Sequence, residues 1–453
     1  MLNSSLLQRL VEKIVPTSPE LFSTPSDNNI TAFGVFAPEL LDRIIDHLHN
    51  DRPTLLCLGR ASRQTLIRSR VHLFSNLEFN KDGDRQFDTF LVLLEAPWTS
   101  FTNAVESIQI KQLFLPRGYK HLPNKNMPRI LANLPNLKAL RLTSISWPYI
   151  PPHIRDLLFQ TDIVDLQLDS VEFSRYRPGP IDISELFVAL QPSITSMTLY
   201  NLDFDDENFP DLSQHSSIFR RHIHLTVLDT CSLLLFKDVW DPLGANQLDI
   251  TVESFHIRLI PMTRRGREEY TPFFSRFLRH VGPTLQHIFI KLSDPYPDMH
   301  ALPYYNAIDL SQCVNVRVVH IGTITLDRIS RSGEDTVPMV STMWNSLSTL
   351  SSHSPSLEEV LLLFRPVGET LEVNETELES FAWLDLVGKL HQLFSNLRRI
   401  TVAVGYFVVD EDFVPYLAAL RRVPGIRQLE ENGTVLLRMI PWESYGSPDP
   451  AWK

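Results

Sequence analysis

LPNLKALRL, residues 134–142, sets the spacing by which most of this 453-residue chain is read. Its apolar residues Leu137, Leu140 and Leu142 follow the pattern apolar-x-x-apolar-x-apolar. Residues two apart on a strand point to one face, so Leu140 and Leu142 fit a strand with one buried side, while Leu137 closes the layer from the preceding turn. The pattern returns at Val105-Ile108-Ile110, Ile163-Leu166-Leu168, Ile194-Met197-Leu199, Val252-Phe255-Ile257, Leu285-Ile288-Ile290, Val316-Val319-Ile321, Leu357-Val360-Leu362 and Leu397-Ile400-Val402. A partial copy, Leu225 and Leu228 followed by Thr230, fills the one wide gap. First positions step by 32, 26, 31, 31, 27, 33, 31, 41 and 40 residues. A period of this size marks a chain of like units, each too small to bury its own apolar face and therefore stacked on its neighbours. Helix-like runs stand between copies, at 154–159, 183–190, 273–281, 339–350 and 381–394. One strand and one helix per unit predict an α/β fold with a curved parallel sheet backed by helices.

Several copies open with a set phrase: Leu134-Pro135-Asn136-Leu137, Pro355-Ser356-Leu357 and Ser395-Asn396-Leu397. In this the region is similar to leucine-rich repeats of the long, irregular kind. The resemblance covers about residues 100–425, and it implies a solenoid whose surface holds a protein target. The asparagine or cysteine that such repeats carry after the strand is mostly absent, with Asn201 and Cys231 as the candidates. The two longest steps place extra sequence near 323–338 and 365–379, the second with Glu369, Glu372, Glu375, Glu377 and Glu379. Insertions in stacked repeats go to loops, so this acidic stretch reads as a solvated loop or as a contact for a basic partner. The same two readings apply to Asp203, Asp205, Asp206 and Glu207.

Upstream, FAPELLDRIIDHLHNDRPTLLCLGRASRQTLIRSRVHLF occupies residues 36–74. Leu40, Leu41, Ile44, Ile45 and Leu48 recur at helical steps between Glu39, Asp42, Arg43, Asp46 and His47, and Pro38 suits the first turn. A break at Asn50-Asp51-Arg52-Pro53 precedes a second apolar run, Leu55, Leu56 and Leu58, and a third short element ends in His72-Leu73-Phe74. So short a module cannot bury that much leucine alone and leans on a partner or on the rest of the chain. The proline-led helix, followed by Ser62-Arg63, Arg68-Ser69-Arg70 and His72-Leu73-Phe74, resembles the F-box in the form common in mushroom-type fungal proteins. An F-box docks on the small Skp-type adaptor of an SCF-type cullin-RING ubiquitin ligase and leaves the rest of its chain to hold a substrate. By that resemblance the adaptor contacts are Phe36, Pro38, Leu40, Leu41, Ile44, Ile45, Leu48, Leu55 and Leu58. Two positions depart from the pattern: Phe36-Ala37 stands where Leu-Pro is usual, and Thr65 where a tryptophan is often found after Ser-Arg.

The domain organisation expected from these readings is a helix and flexible linker over 1–32, the F-box module over 33–75, the solenoid over 76–425, and a closing strand and tail over 426–453. Leu7, Leu10, Val11 and Ile14 fall on one side of the first helix, and 16–31 is rich in Pro, Ser, Thr and Asn. Residues 435–440 read as the last strand, with Trp442 and Trp452 available to cover the end of the stack.

Composition narrows the function classes. Hydrophobic residues make up 43% and charged residues 21%, an ordinary globular balance. With 16 glycines against 32 prolines there is no glycine-rich phosphate loop, and a net charge of −11 argues against nucleic acid as a partner. Cys57, Cys231 and Cys313 are far apart and odd in number, which reads as reduced core thiols. No run reaches the roughly 18 apolar residues that cross a bilayer, and Arg9, Glu12 and Lys13 interrupt any secretory signal, so a cytoplasmic or nuclear location without membrane contact is expected.

No catalytic, cofactor or metal motif is present. His222 and His224 read as a surface pair without a third ligand, His280 and His287 as structural, and Arg264, Arg265 and Arg267 as a basic cluster in a turn. The chain is therefore expected to be no enzyme and to hold no cofactor. Two readings stand: a substrate receptor joining the Skp-type adaptor to an unknown target protein, or an interaction scaffold whose helices merely cap the first repeat.

Overall fold

The structure is a computed structural model and describes residues 37–49, 51–79, 83–96, 99, 101–111, 126–147, 150, 155, 162–171, 194–202, 222–233, 249–257, 264–291, 308–325, 347–350, 356–365, 383–406 and 414–441. The chain forms two compact units, Met1–Ser196 with Leu202–Asp205 and Met197–Asn201 with Asp206–Lys453.

Among the described residues the first unit begins with three helices, α1 (Pro38–His47), α2 (Arg52–Ala61) and α3 (Arg63–Phe74). Strand β1 (Asn76–Phe79) and helix α4 (Gly83–Glu95) follow, then β2 (Ser107–Lys111), α5 (Met127–Ala132), β3 (Ala139–Thr143) and β4 (Asp165–Asp169). From Met197 the second unit carries most of β5 (Ser196–Tyr200), then β6 (Ile223–Asp229), β7 (Ile250–Ile257), helix α6 (Arg264–Val281), β8 (His287–Lys291), β9 (Val318–Thr325) and β10 (Glu359–Arg365). It ends with α7 (Trp383–Leu393), β11 (Arg399–Tyr406), α8 (Val414–Arg422), α9 (Pro424–Glu431) and β12 (Val435–Pro441).

Within each unit the strand order is the sequence order, and the described ladders are parallel. The repeat positions fall into register. In the first unit Leu77, Ile108, Leu140 and Leu166 form one line across the strands, and Phe79, Ile110, Leu142 and Leu168 form the next. In the second, Leu228, Phe255, Ile288, Val319, Val360, Ile400 and Val435 line up, followed by Ile257, Ile290, Ile321, Leu362, Val402 and Leu437. All of these side chains are buried. Each contributes about 1.5–3 kcal/mol by leaving water, and a slip of one residue would turn them all to the other face.

Helices cover this core face. Phe79 stacks on Phe87 of α4 at 4.3 Å and meets Phe90 edge-on at 5.6 Å. In the second unit Phe255 lies 5.9 Å from Phe274 and 6.1 Å from Phe277, both on α6, while Tyr270 Oη donates to the Thr230 carbonyl at 3.1 Å. The residue after β3, β4 and β5 has a left-handed backbone, with φ of 54° at Ser144, 54° at Ser170 and 52° at Asn201. Each is followed by a buried apolar residue, Ile145, Val171 and Leu202.

Several expectations change. Phe74, Leu77 and Phe79 form an earlier copy of the repeat pattern, one that reading His72-Leu73-Phe74 as the end of the helical module conceals. Leu225 and Val252 lie inside β6 and β7 rather than in a preceding turn, because these strands begin earlier, at Ile223 and Ile250. Arg264, Arg265 and Arg267 are not in a turn. They start α6, since the sequence through Glu268 and Glu269 favours helix and the apolar face from Tyr270 to Val281 anchors it. Cys57 is exposed and only Cys231 and Cys313 are core thiols, because on α2 it is Leu55 that faces inward. The expected N-terminal helix and linker, Phe36, most of the run at 154–159, the run at 183–190, the acidic stretches at 203–207 and 369–379, Trp442 and Trp452 lie outside the described residues.

Candidate protein-interaction site

Helix α1 begins with Pro38 at its first turn, where the missing N–H costs nothing, and carries Glu39 at its positive end. Its apolar residues divide between two directions. Leu41 and Ile45 are buried, in a helix that packs on α3. Leu40 and Ile44 are 47% and 42% exposed, a considerable solvation cost for two neighbouring large aliphatics. Pro38 is exposed beside them and Leu48 is half-buried at the C-cap.

Helix α2 is started by Asp51, whose carboxylate accepts from the Thr54 N–H at 3.1 Å and the Thr54 hydroxyl at 2.6 Å. Leu55 is wholly buried, while Leu56 and Leu58 are half-buried. Ser62 caps α3 by accepting from the Thr65 N–H at 3.2 Å, and the buried Thr65 hydroxyl donates to the Leu58 carbonyl near the end of α2. Thr65 thus stitches two helices together through its hydroxyl. At the crossing of α2 and α3, a Cβ on Gly59 would stand 3.6 Å from Ser69 Cβ, so the helices approach closely. Arg52 spans the same pair, donating to the Leu73 carbonyl at 3.0 Å.

An ion cluster locks α1 to α3. Asp46 accepts from Arg68 Nε at 2.6 Å and Nη2 at 2.7 Å, a bidentate pair, and lies 2.7 Å from His72 Nε2. The hydrogen bonds from Arg68 and then His72 hold its carboxyl well below the usual carboxylate range. The third helix runs straight into the sheet: the Ser75 carbonyl accepts from Glu106 and Ser107 at 3.0 and 2.9 Å, and Phe74 stacks on Phe101 at 4.1 Å.

This geometry sorts the nine contacts inferred by resemblance. Leu41, Ile45 and Leu55 are interior residues that hold the helices together and are not available to a partner, because α3 and the close crossing cover them. Pro38, Leu40 and Ile44 form the exposed face, with Leu48 and Leu58 half-buried. The pairing of Asp46 with Arg68 and His72 was not read from the sequence; a carboxylate on α1 and two basic side chains at a four-residue step on α3 were the available signal. The apolar face is suited to docking into an apolar groove. Among the described residues no group of three or more His, Cys, Asp or Glu is placed to hold a metal ion, and no helix is long and apolar enough to cross a membrane.

His222 and His224 are each engaged locally: His222 Nδ1 lies 3.0 Å from Asp249 Oδ1 and His224 Nδ1 lies 3.0 Å from Thr251 Oγ1. Comparisons with known proteins are sparse. No family model and no curated protein matches the chain. Among solved structures, the crystal structure of the beta-glycosidase BGL167 aligns over 51% of this chain and 74% of that one, at 10% identity and a TM-score of 0.20. A likeness that slight carries no inference about function.

Proposed function

We propose that this chain is a substrate-receptor subunit of an SCF-type cullin-RING ubiquitin ligase, its F-box helices binding the Skp-type adaptor and its leucine-rich-repeat-like solenoid binding a target protein. Ubiquitin transfer belongs to other subunits, and this chain contributes proximity and orientation. The observation that carries the reading is the pair Leu40 and Ile44, exposed on α1 beside Pro38 in a module whose other α1 leucines and isoleucines are largely satisfied internally. Leu40→Asp with Ile44→Asp should abolish co-purification with the adaptor while leaving the circular dichroism melt unchanged, since both side chains already face solvent. Retained co-purification overturns the assignment.

One observation favours the alternative, a protein-interaction scaffold not engaged with a ligase. The end of α3 is built into the sheet through Phe74 and Ser75, as a cap on the first repeat would be. The same double variant separates the two, because a cap would lose nothing that binds.

A further inference from the structure

In the second unit the starts of β8 to β11 enclose a depression of about 450 Å³. His287, Val318, Glu359 and Arg399 are in-register neighbours on these four strands and line it, together with the residues just before them, Arg317, Glu358 and Arg398. At about 4.8 Å per strand the row is roughly 14 Å long, the reach of about four extended residues.

The charges are unevenly matched. Arg317 Nη2 lies 3.0 Å from Glu358 Oε1. Glu359 takes Arg399 and also accepts from the Thr401 hydroxyl at 2.9 Å. Both carboxylates are therefore neutralised by one arginine each. Arg398 is exposed, and among the described residues its guanidinium has neither an ion pair nor a hydrogen bond. A concave surface with one surplus guanidinium, carrying five donors in a planar fork, is complementary to a carboxylate. A basic occupant would set its charge against Arg398.

We infer that this depression docks an extended acidic segment of the target protein, with Arg398 taking one of its carboxylates; the inference deepens the receptor reading and rests on it. The probe is a fluorescein-labelled peptide of four consecutive glutamates flanked by glycines, read by anisotropy with the full-length chain and compared with its lysine counterpart. The glutamate peptide should bind, more weakly as salt rises, and the lysine peptide should not. Arg398→Glu should weaken binding at least tenfold. Arg398→Lys should weaken it less, since it keeps the charge and loses the fork. Both variants should melt with the parent. Equal binding of the two peptides, indifference to Arg398→Glu, or no binding of the glutamate peptide at millimolar concentration overturns the site. Adaptor capture is measured on the same proteins: capture intact with the peptide result negative overturns the site alone, and peptide binding with capture absent overturns the receptor reading alone.

Discussion

The two units share one core pattern and differ on the face turned away from it. In the first, the open face carries Glu78, Gln109, Arg141 and Gln167 in register, all half-buried, with Lys111 3.2 Å from Glu78. In the second, the equivalent line is Asp229, His256, Phe289, His320, Leu361 and Thr401, and most of it is buried. His256 stacks on Phe289 at 4.9 Å and meets Tyr200 edge-on at 5.3 Å; Leu361, Leu363 and Ala403 form an apolar cluster beyond. Stacking of repeats constrains only the core face, so the open face is where units of one backbone plan can diverge. A sheet buried on both sides gains stability and loses tolerance, because every side chain then has neighbours.

The largest test of this contrast compares Phe289→Ala with Gln109→Ala, residues at equivalent positions in the two units. Phe289→Ala should cost about 3–4 kcal/mol, while Gln109→Ala should stay within about 0.5 kcal/mol. Amide hydrogen exchange in β8 and in β2 reads each unit separately, and equal costs would remove the distinction.

Acidification should discriminate next. Desolvation pushes the His320 pKa down to about 4, against the pull of the Glu359 carboxylate and aided by His287. The unfolded chain binds a proton near pH 6.5 that the folded chain refuses until about pH 4. Stability of the second unit is therefore full above pH 6.5, falls by up to about 3 kcal/mol on the way down to pH 4, and levels off below. In the first unit Asp46 resists protonation through the same window. Urea midpoints recorded across that range should slope for the parent and flatten in His320→Phe. A slope that persists in the variant assigns the effect elsewhere.

The smallest effect concerns the turns. In the first unit Ser144, just after β3, has a left-handed backbone with φ of 54°, and in the second Gly433, between α9 and β12, has φ of 70°. Ser144→Gly should stabilise by about 0.5 kcal/mol and Gly433→Ala should destabilise by about 1 kcal/mol, both readable as shifts in melting temperature.

Much of the fold was legible because its signal is local and repeated. Val105, Leu137, Ile163, Leu285, Val316, Leu357 and Leu397 occupy buried first positions, as the spacing predicts. The contrast between open faces was also written in the chain: β4 alternates, Asp165-Leu166-Gln167-Leu168-Asp169, whereas β10 reads Val360-Leu361-Leu362-Leu363, the run expected of a strand covered on both sides. The copy at Phe74 was masked because one residue serves both the helical module and the first repeat.

For the candidate site, sequence determined that Pro38–His47 form an amphipathic helix with a wide apolar face, since the 3.6-residue period suffices for that. It could not divide that face. Only the placement of α3 buries Leu41 and Ile45 and leaves Leu40 and Ile44 in water, and only strand stacking brings Arg317, Glu358 and Arg398, each about forty residues from the next, to one rim. Periodicity is a property of neighbours along the chain. Exposure and charge balance depend on neighbours in space, which tertiary packing alone supplies.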